Sequence, residues 1–501
     1  MQKRKDEFKY HPKAYLERKR NVVRGLKART KILEALAMAL IKNDEVREKE
    51  NERTIKAISR SAAMSYPSSF HHLRLLEEEK IVKREGKRPY KWMITGKGQK
   101  SLDELDLELE EEIKMEEELL MIPGPVPVLP RIRKAMSKPM IYHRGDEFGQ
   151  MYEEIVEILK EIFQTRNDLF VLSGSGTCAM EAAIGNLLGN ETGMVCITNG
   201  KFGERFKEIA ERYKADAVTP VNVEWGHSIE LEAVKEALEN SSSSDPQSKI
   251  VTMVHNETST GILNPAMEVG KLARKHDAVF VLDCITSIGG DVVPVDELGA
   301  DIAIVGSQKC LGAPPGMSAI SVSEHAWDLM RENERRPYYM DLLAYKKSLE
   351  KKQTPYTPAL PLFFALREAL AVIEEEGMEK RIERHRKLAK AVRDAVTGLG
   401  LSLFPKLNEV SDYSNTVTAI EIPVANGITD EQLRGGMRKR GVIVAGGQEK
   451  LKGKIFRIAT MGNITEKEVL KTIQVLREVL MENEFIEGEG EGLEEGDHNF
   501  D

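Results

Sequence analysis

From Leu169 onward, apolar residues come in short β-branched runs separated by longer stretches in which they recur every three or four positions. "LFVLS" leads into "GSG" and "TCAMEAAIGNLL", and "MVCIT" into "NGKFGERFKEIAERY"; "KIVTMVH" leads into "NETSTG" and then "AMEVGKLARKH", after which "AVFVLD" and "DIAIVGS" follow. Runs that are apolar throughout read as strands buried on both faces, and the amphipathic stretches as helices covering those faces. The pattern predicts an α/β fold with a mainly parallel sheet, whose ligands gather at the C-terminal ends of the strands.

Ahead of residue 120 the pattern differs. "TKILEALAMALIK" (30–42) and "TIKAISRSAAMS" (54–65) have helical spacing. In "SYPSSFHHLRLLEEEKIVKREGKRPYKWMITGKG" (65–98), Ser65 can cap a third helix with Pro67 in its first turn. On that helix, 67–79, Phe70, Leu73 and Leu76 are expected to face inward, leaving Ser68, Ser69, His71, His72 and Arg74 outside. "KIVKRE" and "YKWMIT" flank the basic turn "GKRP", the mark of a two-stranded hairpin. Three helices and a hairpin predict an α+β winged helix-turn-helix.

Charge divides the chain in the same place. Residues 1–100 hold 27 Lys and Arg against 13 Asp and Glu, a net +14, so in a chain of net −8 the remaining residues carry −22. A basic module able to meet nucleic acid thus precedes an acidic one that would be repelled by it. The expected organisation is a winged helix over 1–100, an acidic helical connector over 101–120 ("SLDELDLELEEEIKMEEELL") broken by "PGPVPVLP", and a large domain over 121–376. A smaller C-terminal α/β domain over 377–485 and a disordered Gly/Glu-rich tail over 486–501 complete it. The rest of the composition is ordinary for 501 residues, at 41% hydrophobic and 31% charged. No apolar run approaches a membrane span and no signal peptide is legible, so a cytoplasmic location is expected. Cys178, Cys196, Cys284 and Cys310 stand singly and read as reduced structural thiols. His71 and His72 lack partners at ligand spacing and read as a polar helix face, so no metal site is expected.

Candidate chemistry lies at the ends of the predicted strands. "SGSGT" (173–177) joins a strand to a helix, where glycines and N-terminal N–H groups can cradle a phosphate. Asp283 ends "AVFVLD", where a buried carboxylate needs a cationic partner. Lys309, beside Gln308 in "GSQKCLGAPPG", is expected to end the next strand; burial would lower its amine pKa and make it nucleophilic towards aldehydes. Each alone has a structural explanation. Together they are the set that holds pyridoxal phosphate: cradle for the 5′-phosphate, Asp283 on the ring nitrogen, and Lys309 for the Schiff base.

Two resemblances carry these readings further. Residues 65–98 resemble the winged-helix domains of ArsR-type and related prokaryotic regulators, through the Ser…His-Leu…Leu pattern of the third helix and the "T-x-K-G" closing the wing. This implies DNA as a partner, with helix 67–79 in a major groove and Lys83, Arg84, Lys87, Arg88 and Lys91 on phosphates. Docking to protein stays open. Residues 121–480 resemble the class V, fold-type I aminotransferases of the alanine-glyoxylate and serine-pyruvate group. The matching stretches are "PGPVPV" (123–128), "HR" (143–144), "FQTRN" (163–167), "GSGTCAMEAA" (174–183), "NGKFGER" (199–205), "NETSTGIL" (256–263), "VLDCITSIGG" (281–290), "GSQKCLGAPPG" (306–316), "TPYTPALPLFFALREAL" (354–370) and "GKIFRIATMG" (453–462).

That second resemblance implies a site. Lys309 is its Schiff-base and proton-shuttling lysine, and Ser175, Gly176, Thr177 and Gln308 its phosphate cup. Phe202 and Ile285 contact the two ring faces, Thr258 approaches the ring oxygen, and Arg457 takes the substrate carboxylate beside Gly124. Thr354 and Thr357 match a loop reaching the neighbouring subunit's phosphate, which implies a homodimer with shared sites. Val126 departs from the hydroxyl residue common after "PGP". The reaction implied is ping-pong transfer of an amino group from alanine, serine or aspartate to glyoxylate or pyruvate. Cysteine desulfuration needs a mobile cysteine after the lysine, whereas Cys310 is adjacent to it. The alternative is a transcription regulator whose aminotransferase-like domain senses an amino acid or the cofactor.

Overall fold

The structure, a computed structural model, describes residues 23–41, 54–85, 90–94, 118–189, 192–242 and 248–486. They fall into two compact units, Met1–Glu117 and Glu118–Asp501.

In the first unit, helices Val23–Ile41, Ile55–Ser61 and Tyr66–Glu78 precede an antiparallel pair, β1 (Val82–Glu85) and β2 (Lys91–Ile94), with Val82 opposite Ile94. The Thr54 hydroxyl caps the second helix by accepting the Ala57 N–H at 3.4 Å. Ile32, Leu36, Ile58, Leu73, Leu76 and Trp92 form the core. On the third helix the expected faces need correcting. Ser69 is fully buried and its hydroxyl has no partner among the described residues, because positions 69, 73 and 76 make the inward stripe and Phe70 lies at its margin. His72 is half-buried, and burial followed by the charges of His71 and Arg29 pushes its imidazole down to about 4, so it is not an open polar group. His71 and Arg74 are exposed and Ser68 is half-buried. Lys83 pairs with Glu85 at 2.5 Å and Arg84 with Glu77 at 2.9 Å, while Lys91 is half-buried. Lys87, Arg88, residues 101–117 of the expected connector and residues 487–501 of the expected tail lie outside the described residues.

The second unit opens with β3 (Leu119–Met121), so the last residues of the expected helical connector are strand. Its principal strands are β4 (Asp168–Ser173), β5 (Gly193–Thr198), β6 (Val218–Asn222) and β7 (Ser248–Val254). After the short β8 (Asn256–Glu257) and β9 (Ile262–Leu263) come β10 (Val279–Asp283), β11 (Ile302–Gly306) and β12 (Met317–Val322). Seven of them form one sheet in the order β4-β12-β11-β10-β7-β5-β6, in which β12 alone runs against its neighbours. The alternation of side chains assigns the layers. Phe280, Leu282, Ala303 and Val305 join the core with helices Asp146–Phe163, Ala266–Lys275 and Leu360–Glu376; Val279, Val281, Ile302 and Ile304 join the core with Gly176–Leu187, Lys201–Lys214 and Glu324–Glu332. Each of these valine, leucine, isoleucine and phenylalanine side chains, removed from water, contributes roughly 1.5–3 kcal/mol.

Further on, β13 (Asp412–Tyr413) pairs with β9, and β14 (Val417–Glu421), β15 (Val442–Gly446) and β16 (Ile455–Ala459) make a second sheet in the order β14-β16-β15-β3. Helices Met378–Gly398 and Glu466–Glu482 pack on it. Its edge strand, β3, comes from ahead of the large sheet, so the small subdomain is not the continuous 377–485 segment expected. Among the described residues no helix is long and apolar enough to cross a membrane.

Candidate active site

The polar groups singled out at strand ends meet along one edge of the large sheet, the C-terminal ends of β4, β5, β7, β10 and β11. After β4 the chain turns into helix Gly176–Leu187 with Ser175 at its N-cap in extended conformation, making no side-chain cap. The Gly176 and Thr177 N–H groups find no acceptor among the described residues, so the helix presents open donors and the positive end of its dipole. The cup is tight: a Cβ on Gly176 would lie 2.4 Å from Ile285 Cδ1, and one on Gly306 3.2 Å from Gln308 Oε1. That Gln308 oxygen is buried without a partner among the described residues.

Asp283, at the end of β10, is 3% exposed; its Oδ1 accepts the Ile285 N–H at 2.8 Å. Burial, offset by that hydrogen bond, pushes its carboxyl up to about 7. Beside it, Lys309 lies in the turn after β11 and donates from Nζ to the Pro123 carbonyl. Burial pulls its amine down to about 8. Gly124 closes over this amine with φ +96°, and a Cβ there would stand 2.7 Å from Nζ. Arg457, on β16, comes from the other sheet and is 4% exposed. Its Nη1 donates to the Thr258 carbonyl at 2.9 Å, and its Nε and Nη2 to the Gly446 carbonyl at 3.2 and 2.8 Å. Burial lowers the guanidinium to about 10. Among the described residues it makes no ion pair; held by neutral carbonyls, it is a cation prepared for an anionic ligand.

Two neighbours went unassigned in the sequence. Glu257, fully buried on β8, accepts the Phe202 and Gly203 N–H groups at 3.1 Å each and the Ser259 N–H and hydroxyl at 3.1 and 2.5 Å. It thereby caps helix Lys201–Lys214 from another strand end and fixes Phe202. Arg205 donates to the Thr177 hydroxyl at 3.1 Å and lies 4.7 Å from the Phe202 ring centroid, adding a cation beside the cup. An acidic residue directly after an apolar strand, as in "MVHNE", is the signal that could have found Glu257; Arg205 stands in a helical pattern indistinguishable from a surface face. The Thr258 hydroxyl meets that of Thr286 at 2.8 Å.

Thr354 is buried and donates its hydroxyl to the Tyr356 carbonyl at 2.7 Å, within its own loop, while Thr357 is exposed. Arg144 holds this loop through the Thr354 and Pro355 carbonyls at 2.5 and 3.1 Å.

The donor set fits pyridoxal phosphate: open helix N–H groups, Arg205 and Gln308 for a phosphate, Asp283 for a protonated ring nitrogen, Lys309 for an aldehyde, and glycines where side chains would intrude.

Comparison with known proteins agrees. The family described as aminotransferase class-V matches residues 131–469. An uncharacterized aminotransferase of Methanocaldococcus jannaschii is 46% identical over 370 residues, covering 73% of this chain and 94% of that protein. Alanine–glyoxylate aminotransferase of Oryctolagus cuniculus is 35% identical, over 72% of this chain and 92% of its own. Among solved structures, ureidoglycine–glyoxylate aminotransferase of Bacillus subtilis superposes with a TM-score of 0.69 at 33% identity, covering 76% of this chain and 98% of that one.

Proposed function

We propose that this chain, which belongs to the class-V aminotransferase family, moves an amino group between alanine, serine or aspartate and glyoxylate or pyruvate. It is a transaminase of the alanine–glyoxylate type and is dependent on pyridoxal 5′-phosphate. One observation carries the substrate reading: an amine and a guanidinium, Lys309 half-buried and Arg457 buried, are brought to one site from the turn after β11 and from β16 of the other sheet, and among the described residues neither is in an ion pair.

Bound there, the cofactor supplies an aldehyde for the amino group and an electron sink for charge developing at Cα. The chain's own residues do the rest. Arg457 takes the donor carboxylate as a bidentate pair and so turns Cα towards Lys309. Lys309, its amine lowered to about 8, is able to lose and regain a proton near neutral pH and moves the Cα proton. Asp283 would keep a proton on the ring nitrogen, a contact that burial would strengthen. Phe202 and Ile285 would flank the cofactor's ring, Thr258 would approach its oxygen, and Ser175, Gly176, Thr177 and Gln308 would hold its phosphate.

The visible absorption of the purified protein tests this. A band that a small amino acid bleaches and glyoxylate or pyruvate restores, absent from Lys309→Ala, is the expected result; a band unchanged by every donor would refute turnover and favour a sensing role. We further read the enzyme as a homodimer sharing sites through the Thr357 loop, with mass in solution as the check. The net +14 over residues 1–100 supports a second function there, duplex DNA binding through His71, Arg74 and the hairpin cations. Retardation of duplex DNA that disappears on deleting residues 1–100 is expected, and retention of it would overturn that reading.

A further inference from the structure

Beneath the Lys309 turn lies a charged node that the reaction itself does not use. Arg381 is fully buried. Its Nε donates to the Gly289 carbonyl at 3.0 Å and its Nη2 to the Cys310 carbonyl at 2.7 Å; its Nη1 reaches Glu376 at 2.6 Å and Asn463 Oδ1 at 3.3 Å. Arg384 shares Glu376 at 2.6 Å and holds the Gly462 and Ile464 carbonyls at 3.0 and 2.6 Å. Gly289 follows β10, the strand of Asp283. Cys310 adjoins Lys309, and Gly462–Ile464 is the turn after β16, the strand of Arg457. The node therefore joins the main chain behind Asp283, Lys309 and Arg457.

A fully buried guanidinium is expensive to keep, and one carboxylate shared by two arginines is a poor stabilising arrangement compared with apolar packing. What a planar fork offers is direction: several donors fixed in one plane towards separate acceptors, which a flexible ammonium cannot reproduce. We propose that Arg381 is a positioning residue for amino transfer, setting the distance between Lys309 and Arg457 by clamping the Cys310 carbonyl against the turn that follows β16. This deepens the transaminase reading and rests on it.

The test compares cofactor-loaded full-length wild type with Arg381→Lys and, in case that variant does not fold, Glu376→Gln, which leaves the guanidinium without its counter-charge. Since misplacing a reacting group by about 1 Å can lower a rate about 100-fold, kcat should fall 10- to 100-fold for Arg381→Lys and by a smaller factor for Glu376→Gln. The donor KM should stay within about threefold, because Arg457 still takes the carboxylate. The pH midpoint of the bound cofactor's visible absorbance should move, since Lys309's surroundings change. Should wild type show no transamination, the substrate reading fails, and the absorbance titration and cofactor Kd alone decide the positioning role. Variants that melt at lower temperature yet keep kcat and the absorbance midpoint of wild type would overturn it, reducing the node to a structural one.

Discussion

Replacing Gly124 by alanine tests the geometry around Lys309 without touching its chemistry. At φ +96° a non-glycine residue costs about 1–3 kcal/mol of backbone strain. The added Cβ would lie 2.7 Å from Lys309 Cδ and Nζ and 3.0 Å from Cε, against an optimum of about 3.5–4.0 Å between carbon atoms. The obstructing atoms are the far end of a flexible side chain, so the chain still folds and the lysine yields by about 1 Å. A displacement of that size lowers a rate about 100-fold, equivalent to about 2.7 kcal/mol in the barrier. Gly427→Ala is the control: its φ is +86° and nothing lies within 4 Å of the added carbon, so it carries the strain alone. Steady-state transamination and thermal midpoints of both variants give the answer. Both should melt earlier, and only Gly124→Ala should lose kcat. A Gly124→Ala enzyme within about twofold of wild type, or an equal loss in Gly427→Ala, would refute the argument.

The other expectations concern charge. Asp283→Asn should lower kcat by about 100- to 1,000-fold with cofactor still bound, read by single-turnover absorbance. Asp283 has its carboxyl raised from 3.8 to about 7, so the folded state holds the proton longer. The stability of cofactor-free protein should therefore fall as pH rises from about 4 to about 7, and denaturant midpoints of Asp283→Asn should lack that fall. Lys309, lowered from 10.5 to about 8, acts in the opposite window: stability should recover between about pH 8 and about pH 10.5, and Lys309→Met should abolish the recovery. Arg457→Lys keeps a cation but not the fork. We expect kcat/KM for the donor to drop about 100-fold, mostly through KM, and an unchanged KM would argue against carboxylate contact.

Local pattern made much of this protein legible. Apolar runs such as "AVFVLD" and "DIAIVG" are long enough and free enough of breakers to be strands wherever they are placed, and a polar residue ending such a run stands at a sheet edge by geometry alone. Asp283 and the "SGSGT" turn were therefore visible as candidates, and Lys309 with them, although it sits in a turn three residues beyond β11 rather than at the strand end. The third helix of the basic unit shows the limit of the same reasoning. Leu73 and Leu76 face inward as expected, but Ser69 rather than Phe70 completes the buried stripe, because these two neighbours are separated only by how the other helices close over them.

Contacts between distant segments were beyond any such pattern. β3 joins β15 across more than 300 residues, Arg457 enters the site from a different sheet, and Thr354 bonds to the Tyr356 carbonyl of its own loop. Arg381 is a charged residue whose burial no local hydropathy reveals, and both it and Glu257 are held by donors or carbonyls that only the closed fold brings together. Strand and helix type follow from forces between neighbours in the chain, which the sequence states directly. The pairing of buried charges, and the lowered amine that makes Lys309 useful, depend on which surfaces exclude water from one another, and that exists only once the chain has folded.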